Sequence, residues 1–354
     1  MNKHLLAATP AILVTLLAYP AAGRQSGDPP PRIVPPVVEG AAPVTVEKVT
    51  VHGASLAGNL EGNAADRDLI VYLPPSYAED TVRRYPVVYA LHGYTIDNDI
   101  WATEIKTPQT IEGAFALGTP EMIVVLPDSR TLHNGSMYSS SVTTGDWEGF
   151  IADDVVSWVD VNFRTLPDRA SRGLVGHSMG GYGAARIGMK RPDVFGSLYI
   201  MSPCCMSPRG APSAEILAAL DTLETPEAST ELGFLQRATL AVASAWSPNP
   251  DNPPFYADLP TGDRADDVLA RWAANAPLSM VHQYVFSLKR YAAIALDVGD
   301  RDGLRVDTRE LHDILSTYGI ANKLEIYDGD HVSAVADRFQ NHVMPFFGDH
   351  LAFD

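Results

Sequence analysis

The chain has 354 residues, a formal net charge of -17 and two cysteines, Cys204 and Cys205, which are neighbours. Such acidity, with no run of lysine or arginine, excludes nucleic acid and anionic membrane surfaces as expected partners. Two adjacent cysteines exclude a disulfide framework, and they leave two readings: a strained vicinal disulfide or a pair of buried thiols.

The chain opens with Met1-Asn2-Lys3-His4, an apolar run from Leu5 to Ala18, and the small residues Ala21-Ala22-Gly23. These are the three zones of a secretory signal, with cleavage expected after Gly23. The run is broken by Pro10 and is shorter than the roughly 20 apolar residues of a membrane span. A secreted or periplasmic protein without stable membrane insertion after processing is the expectation. Residues 24–40, with Pro29-Pro30-Pro31 and Pro35-Pro36, read as a stiff, solvated linker. Residues 41–354 are then expected to form a single domain.

Val44 to Gly58 and Leu69 to Leu73 read as strands of an antiparallel edge, the second ended by Pro74-Pro75. Further short apolar strands follow at 86–91, 122–126, 173–175, 198–201, 293–296 and 323–327. Helical patterns separate them at 107–116, 150–162, 182–190, 308–318 and 332–346. The alternation predicts an α/β fold: a mostly parallel sheet of about eight strands covered by helices on both faces. In such sheets ligands bind beyond the carboxyl ends of the strands. The segment at about 203–290 interrupts the alternation and is expected to sit over the strand ends as a lid or cap, shaping the ligand pocket there.

Gly176-His177-Ser178-Met179-Gly180-Gly181 stands where an apolar strand gives way to a helix. A sharp strand-to-helix turn holds a serine hydroxyl proud of the fold, and it crowds the positions two before and two after, where glycine relieves the contact. Ser178 is the expected nucleophile. His331, in the tight loop Asp328-Gly329-Asp330-His331 after the last strand, is the expected base. The acid must leave the preceding strand, where Asp297, Asp300 and Asp302 compete. Asp302 is chosen because it lies furthest beyond the strand end, and Asp300 is next. Two backbone amides should bind the oxyanion: that of Met179, at the start of a helix, and that of Tyr94, after His92-Gly93. His92 is expected to hold this loop by a hydrogen bond, and His177 to pack beneath the nucleophile. Tyr138 and Trp147 are candidates for an aromatic substrate pocket, and Gly135 to Ser141 for a polar substrate loop. No metal or other cofactor is implied, and the sequence carries no signal for oligomeric state.

Tyr85 to Gly93, Gly145-Asp146-Trp147-Glu148 with Asp154 and Asp160 to Thr165, the elbow and Gly329-Asp330-His331 together resemble the esterase D and feruloyl esterase family of α/β-hydrolases. That family includes S-formylglutathione hydrolases and mycolyltransferases. The resemblance spans roughly residues 44–350 and implies the α/β-hydrolase fold. It fits a secreted serine hydrolase of carboxylic esters working through a Ser-His-Asp triad and a covalent acyl-enzyme. Small-molecule esters or polysaccharide-linked feruloyl and acetyl esters are the expected substrates. The secretory pattern argues against S-formylglutathione hydrolase activity, whose substrate is cytosolic. Acyl transfer of the mycolyltransferase type and cutinase-like polyester hydrolysis use the same triad and stay open. A non-catalytic binding protein would be expected to lack a triad member.

Overall fold

The computed structural model describes residues 31–354, so the secretory pattern and residues 24–30 of the proline-rich segment lie outside the described residues. Eight strands form one sheet in the order β1-β2-β4-β3-β7-β8-β9-β10, and a short hairpin, β5 (Ser140–Ser141) with β6 (Gly145–Asp146), stands apart. β1 (Thr45–His52) pairs antiparallel with β2 (Asp66–Leu73), and β2 pairs antiparallel with β4 (Ile123–Pro127). β3 (Val87–Leu91), β4, β7 (Arg172–His177), β8 (Ser197–Met201), β9 (Ala293–Gly299) and β10 (Lys323–Tyr327) run parallel. This is the α/β-hydrolase fold, with the eight-stranded sheet that the sequence predicts.

Strand periodicity divides the core in two. Side chains alternate across a strand, so Val87, Tyr89 and Leu91 enter one buried cluster while Val88 and Ala90 enter the other. The first face is covered by the elbow helix Met179–Lys190, by the helical stretch from Phe150 to Asn162 and by the helix Arg305–Thr317. The second is covered by the helices Asn98–Glu104 and Gln109–Ala116 and by the C-terminal helical run. β3, β4, β7 and β8 are buried at every residue, as central parallel strands must be. β1 buries only Val51 fully and forms the edge.

Three expected boundaries move. The first strand stops at His52, and Ala54–Leu56 form a 3-10 turn, because Gly53 turns to donate its amide to Ala65 and lies against the Phe150 ring. The last helical run starts at Val335 rather than Val332 and continues to His350. Asp330 holds residues 332 and 333 in a tight turn by accepting both of their amides. The described part of the expected solvated linker is docked instead: Ile33 donates its amide to Ser333 at 2.6 Å, and the buried Pro35 accepts from Gln109 at 2.7 Å.

The segment between β8 and β9 belongs to the same compact unit as the sheet. Its helices rest on the loops leaving β4 and on the elbow helix. Trp246 donates to Ser139 at 3.1 Å, Ser141 donates to the Ser244 carbonyl at 2.6 Å, and Tyr182 donates to the Asn275 carbonyl at 2.9 Å. Among the described residues no helix is long and apolar enough to cross a membrane.

Candidate active site

The carboxyl ends of β3, β7, β9 and β10 lie at one rim of the sheet, and each delivers a predicted residue there. Ser178 follows β7 directly, with φ 59° and ψ -113°, a backbone conformation that non-glycine residues rarely adopt. The turn is this tight because the flanking glycines allow it. A Cβ at Gly176 would collide with the Gly180 carbonyl, and one at Gly180 would collide with the Leu91 carbonyl. The strained residue is tied at both ends: its amide donates to Met201 and its carbonyl accepts from Cys204, each at 3.0 Å.

His331 places Nε2 2.9 Å from the Ser178 hydroxyl and Nδ1 2.8 Å from Oδ2 of Asp302. Asp302 is 8 % exposed, and its other oxygen accepts the Leu304 amide at 2.9 Å. Burial raises the carboxyl's pKa, but the hydrogen bond and charge of His331 with the Leu304 amide outweigh it, and the net shift is downward. Asp302 is therefore a carboxylate aligned to accept from the imidazole. The competing aspartates face elsewhere. Asp300 accepts the Gly329 amide and stands 3.3 Å from Arg301, while Asp297 is fully buried against Arg338 at 2.8 Å and Tyr199 at 3.0 Å.

The loop after β3 comes up beside the serine: a Cβ at Gly93 would lie 3.6 Å from the Ser178 Cβ. The Met179 amide, in the first turn of its helix, has no intrahelical acceptor, and its dipole favours developing negative charge. His92 is fully buried and accepts the Ser129 amide at Nε2, 2.8 Å away. Its proton is thus on Nδ1, which donates to the Gly93 carbonyl at 2.8 Å. That carbonyl belongs to the same planar peptide as the Tyr94 amide, so His92 fixes the direction of both.

His177 packs beneath Ser178, as expected, and also does something the sequence did not signal. It donates from Nε2 to the main-chain carbonyl of His331 at 2.7 Å, with its ring 4.7 Å from the His331 ring. Burial, with the nearby His331 charge, pushes its pKa down to about 3, so it is neutral.

The two aromatic residues expected to line a pocket do not. Tyr138 is fully buried and donates its hydroxyl to the His92 carbonyl at 3.1 Å. Trp147 is fully buried, donates to the Thr144 carbonyl at 2.9 Å and packs edge-on to Phe150. Neither offers a face to a substrate, because in this fold both point into the core beneath the rim. The same holds for the polar loop: Ser136, Ser139 and Ser141 are buried, and Gly135 abuts the Met179 side chain and the Tyr94 ring. Cys204 and Cys205 are free thiols, with Sγ atoms 2.7 Å apart. Among the described residues no group of three histidine, cysteine or acidic side chains could hold a metal ion.

Comparison with known proteins places this geometry in a lineage. The family model described as "Putative esterase" matches residues 63–346. An endo-1,4-beta-xylanase/feruloyl esterase of Xylanibacter ruminicola is 29% identical over 137 residues, covering 37% of this chain and 19% of that protein. Esterase Rv1288 of Mycobacterium tuberculosis is 33% identical over 130 residues, covering 36% and 27% respectively. The chain thus spans between about a fifth and about a quarter of the length of these relatives. Among solved structures, a ferulic acid esterase superposes with TM-score 0.63 at 21% identity, over 88% of this chain and 100% of that one. An S-formylglutathione hydrolase of Staphylococcus aureus gives 0.58 at 16% identity, over 86% and 99%. With the family model spanning most of its length and the fold shared by these neighbours, the chain belongs to the esterase family of α/β-hydrolases.

Proposed function

We propose that the protein is a serine carboxylesterase in which Ser178, His331 and Asp302 form the triad. The observation that carries this reading is the unbroken relay of hydrogen bonds from the Ser178 hydroxyl through both nitrogens of His331 to Asp302, at 2.9 and 2.8 Å. His331 Nε2 takes the serine proton as Oγ attacks the ester carbonyl, and Asp302 stabilises the imidazolium. The amides of Met179 and Tyr94 bind the tetrahedral oxyanion. Collapse expels the alcohol, protonated by His331, and leaves an acyl-Ser178. Water, deprotonated by His331, then releases the acid and restores the serine.

Feruloyl and acetyl esters linked to polysaccharide are the proposed substrates, and export through the N-terminal apolar segment is the proposed route to them. Similarity to a protein named xylanase/feruloyl esterase supports the first. So does Phe234, at the start of the helix Phe234–Trp246, in the segment read as a cap. It is 63% exposed and packs edge-on to Tyr94 at 5.4 Å, leaving an apolar ring beside the proposed oxyanion loop for an aryl acid.

Purified protein is expected to hydrolyse p-nitrophenyl acetate, methyl ferulate and acetylated xylan, and Ser178→Ala to abolish all three. Undiminished turnover by the alanine variant refutes the triad. Activity on p-nitrophenyl acetate alone refutes the substrate class and leaves the triad standing.

A further inference from the structure

Cys204 and Cys205 are not used by the proposed mechanism, yet they occupy the loop that leaves β8 beside the elbow. Their sulfurs are 2.7 Å apart, within hydrogen-bond reach, and Nη2 of Arg209 donates to the Cys205 sulfur at 3.1 Å. Cys204 is partly exposed, while Cys205 is buried and holds a left-handed φ of 62°. The hydrogen bond from Cys204, with the Arg209 charge, offsets burial and brings the Cys205 thiol down to about 7. A thiolate beside a guanidinium, in contact with a second thiol, is the arrangement of a reactive pair rather than of inert core sulfur. The pair also touches the nucleophile's backbone, since the Cys204 amide donates to the Ser178 carbonyl.

We propose that Cys204 and Cys205 form a redox site that a hydroperoxide converts reversibly into a vicinal disulfide, and that closing the ring slows turnover at Ser178. The second clause rests on the esterase reading given above. The Cys205 thiolate attacks one peroxide oxygen, the O–O bond breaks, and hydroxide leaves, giving a sulfenic acid on Cys205. The Cys204 sulfur attacks the Cys205 sulfur, the S–O bond breaks, and a second hydroxide leaves. With the two thiol protons the products are one disulfide and two waters. Two electrons pass from the sulfurs to the peroxide. Adjacent Cα atoms sit about 3.8 Å apart across a trans peptide, closer than an ordinary disulfide allows. Ring closure therefore turns the 204–205 peptide about the Cys204 Cα, and the strain passes to the adjoining Cys204 amide, which holds the Ser178 carbonyl. The same strain leaves the bond readily reduced by a dithiol.

The test uses full-length reduced protein treated with a small excess of hydrogen peroxide, which catalase then removes. Ellman titration after denaturation is expected to fall from two thiols to none. Mass spectrometry is expected to show loss of two hydrogens with no oxygen retained at these cysteines. kcat on p-nitrophenyl acetate is expected to drop on the order of fivefold or more, as a displaced nucleophile requires, and dithiothreitol to restore it. Cys204→Ser and Cys205→Ser are each expected to lose the reversible response. Two thiols persisting after treatment, a disulfide between chains, or unchanged kcat after complete ring closure each overturn the proposal. If the reduced protein hydrolyses no ester, the triad reading fails, whereas the thiol count and mass still decide the sulfur site.

Discussion

His177 clamps His331 from below: its Nε2 donates to the His331 carbonyl at 2.7 Å, while its ring stacks on Trp101 at 5.8 Å with the planes 8° apart. The residue that precedes the proposed nucleophile therefore positions the residue proposed as its base. One short turn fixes both partners of the proton transfer, and the indole fixes the turn.

His177→Ala removes that donor and leaves a void against Trp101. A loss of about 2–4 kcal/mol in urea denaturation is expected from the cavity and the unpaired carbonyl together. kcat should fall about 10- to 100-fold, since a displaced base misses the serine hydroxyl. His177→Gln keeps a donor and should recover part of the kcat. Turnover by the alanine variant within about threefold of wild type would show that the clamp does not position His331.

The loop carrying three aspartates gives a sharper contrast. Asp302→Asn leaves the size of the side chain but offers His331 Nδ1 a weaker, uncharged partner, and kcat should fall by about four orders of magnitude. Asp300→Asn changes a half-exposed group beside Arg301, keeps an oxygen that can still accept the Gly329 amide, and should cost less than about threefold. Equal losses in the two variants would contradict the orientation of Asp302.

Much of this site was legible because tight geometry demands particular residues. The glycines at 176 and 180 mark a turn where a Cβ does not fit, and the order serine, aspartate, histidine follows the chain order of β7, β9 and β10, whose carboxyl ends share one rim of the sheet. The eight strands were legible because buried parallel strands are short apolar runs between helices. Aromatic orientation was not. Tyr138 has a φ of 41°, and that turn swings its ring under the rim instead of toward solvent, a choice made by long-range packing rather than by the local pattern. The docking of Ile33 on Ser333 was equally hidden, because an extended proline-rich segment looks the same whether it is solvated or lies in a groove.

Tyr138, misread as pocket lining, gains another expected role as a brace. Tyr138→Phe removes the hydroxyl donated to the His92 carbonyl and leaves that buried acceptor unpaired. The cost should be about 1–3 kcal/mol of stability. If the brace also steadies the Gly93–Tyr94 peptide, kcat should fall about tenfold with KM little changed, because oxyanion contacts strengthen only in the transition state. A rise in KM with kcat intact would restore Tyr138 to substrate binding.

A buried pair away from the triad sets an expectation for stability against pH. Nε2 of His133 lies 3.4 Å from Glu61, and Nδ1 lies 2.9 Å from the Ser229 hydroxyl in the segment between β8 and β9. Burial, helped by the Arg237 charge, holds His133 down at about 4. Burial pushes Glu61 up to about 7, against the hydrogen bond from Asn63. Between pH 6.5, where a histidine in the unfolded chain begins to bind its proton, and about 4, unfolding takes up a proton at His133. Its contribution to stability is therefore present above 6.5 and lost as pH falls, by about 1.4 kcal/mol per unit at most. Glu61 has the opposite sign: its contribution is present below the unfolded carboxyl value of 4.5 and lost as pH rises toward about 7. His133→Gln should therefore flatten the acid side of a urea-derived stability profile, and Glu61→Gln should flatten the neutral side. Profiles parallel to wild type in both variants would mean that neither group changes its protonation on unfolding, and that the pair is already solvated in the native state.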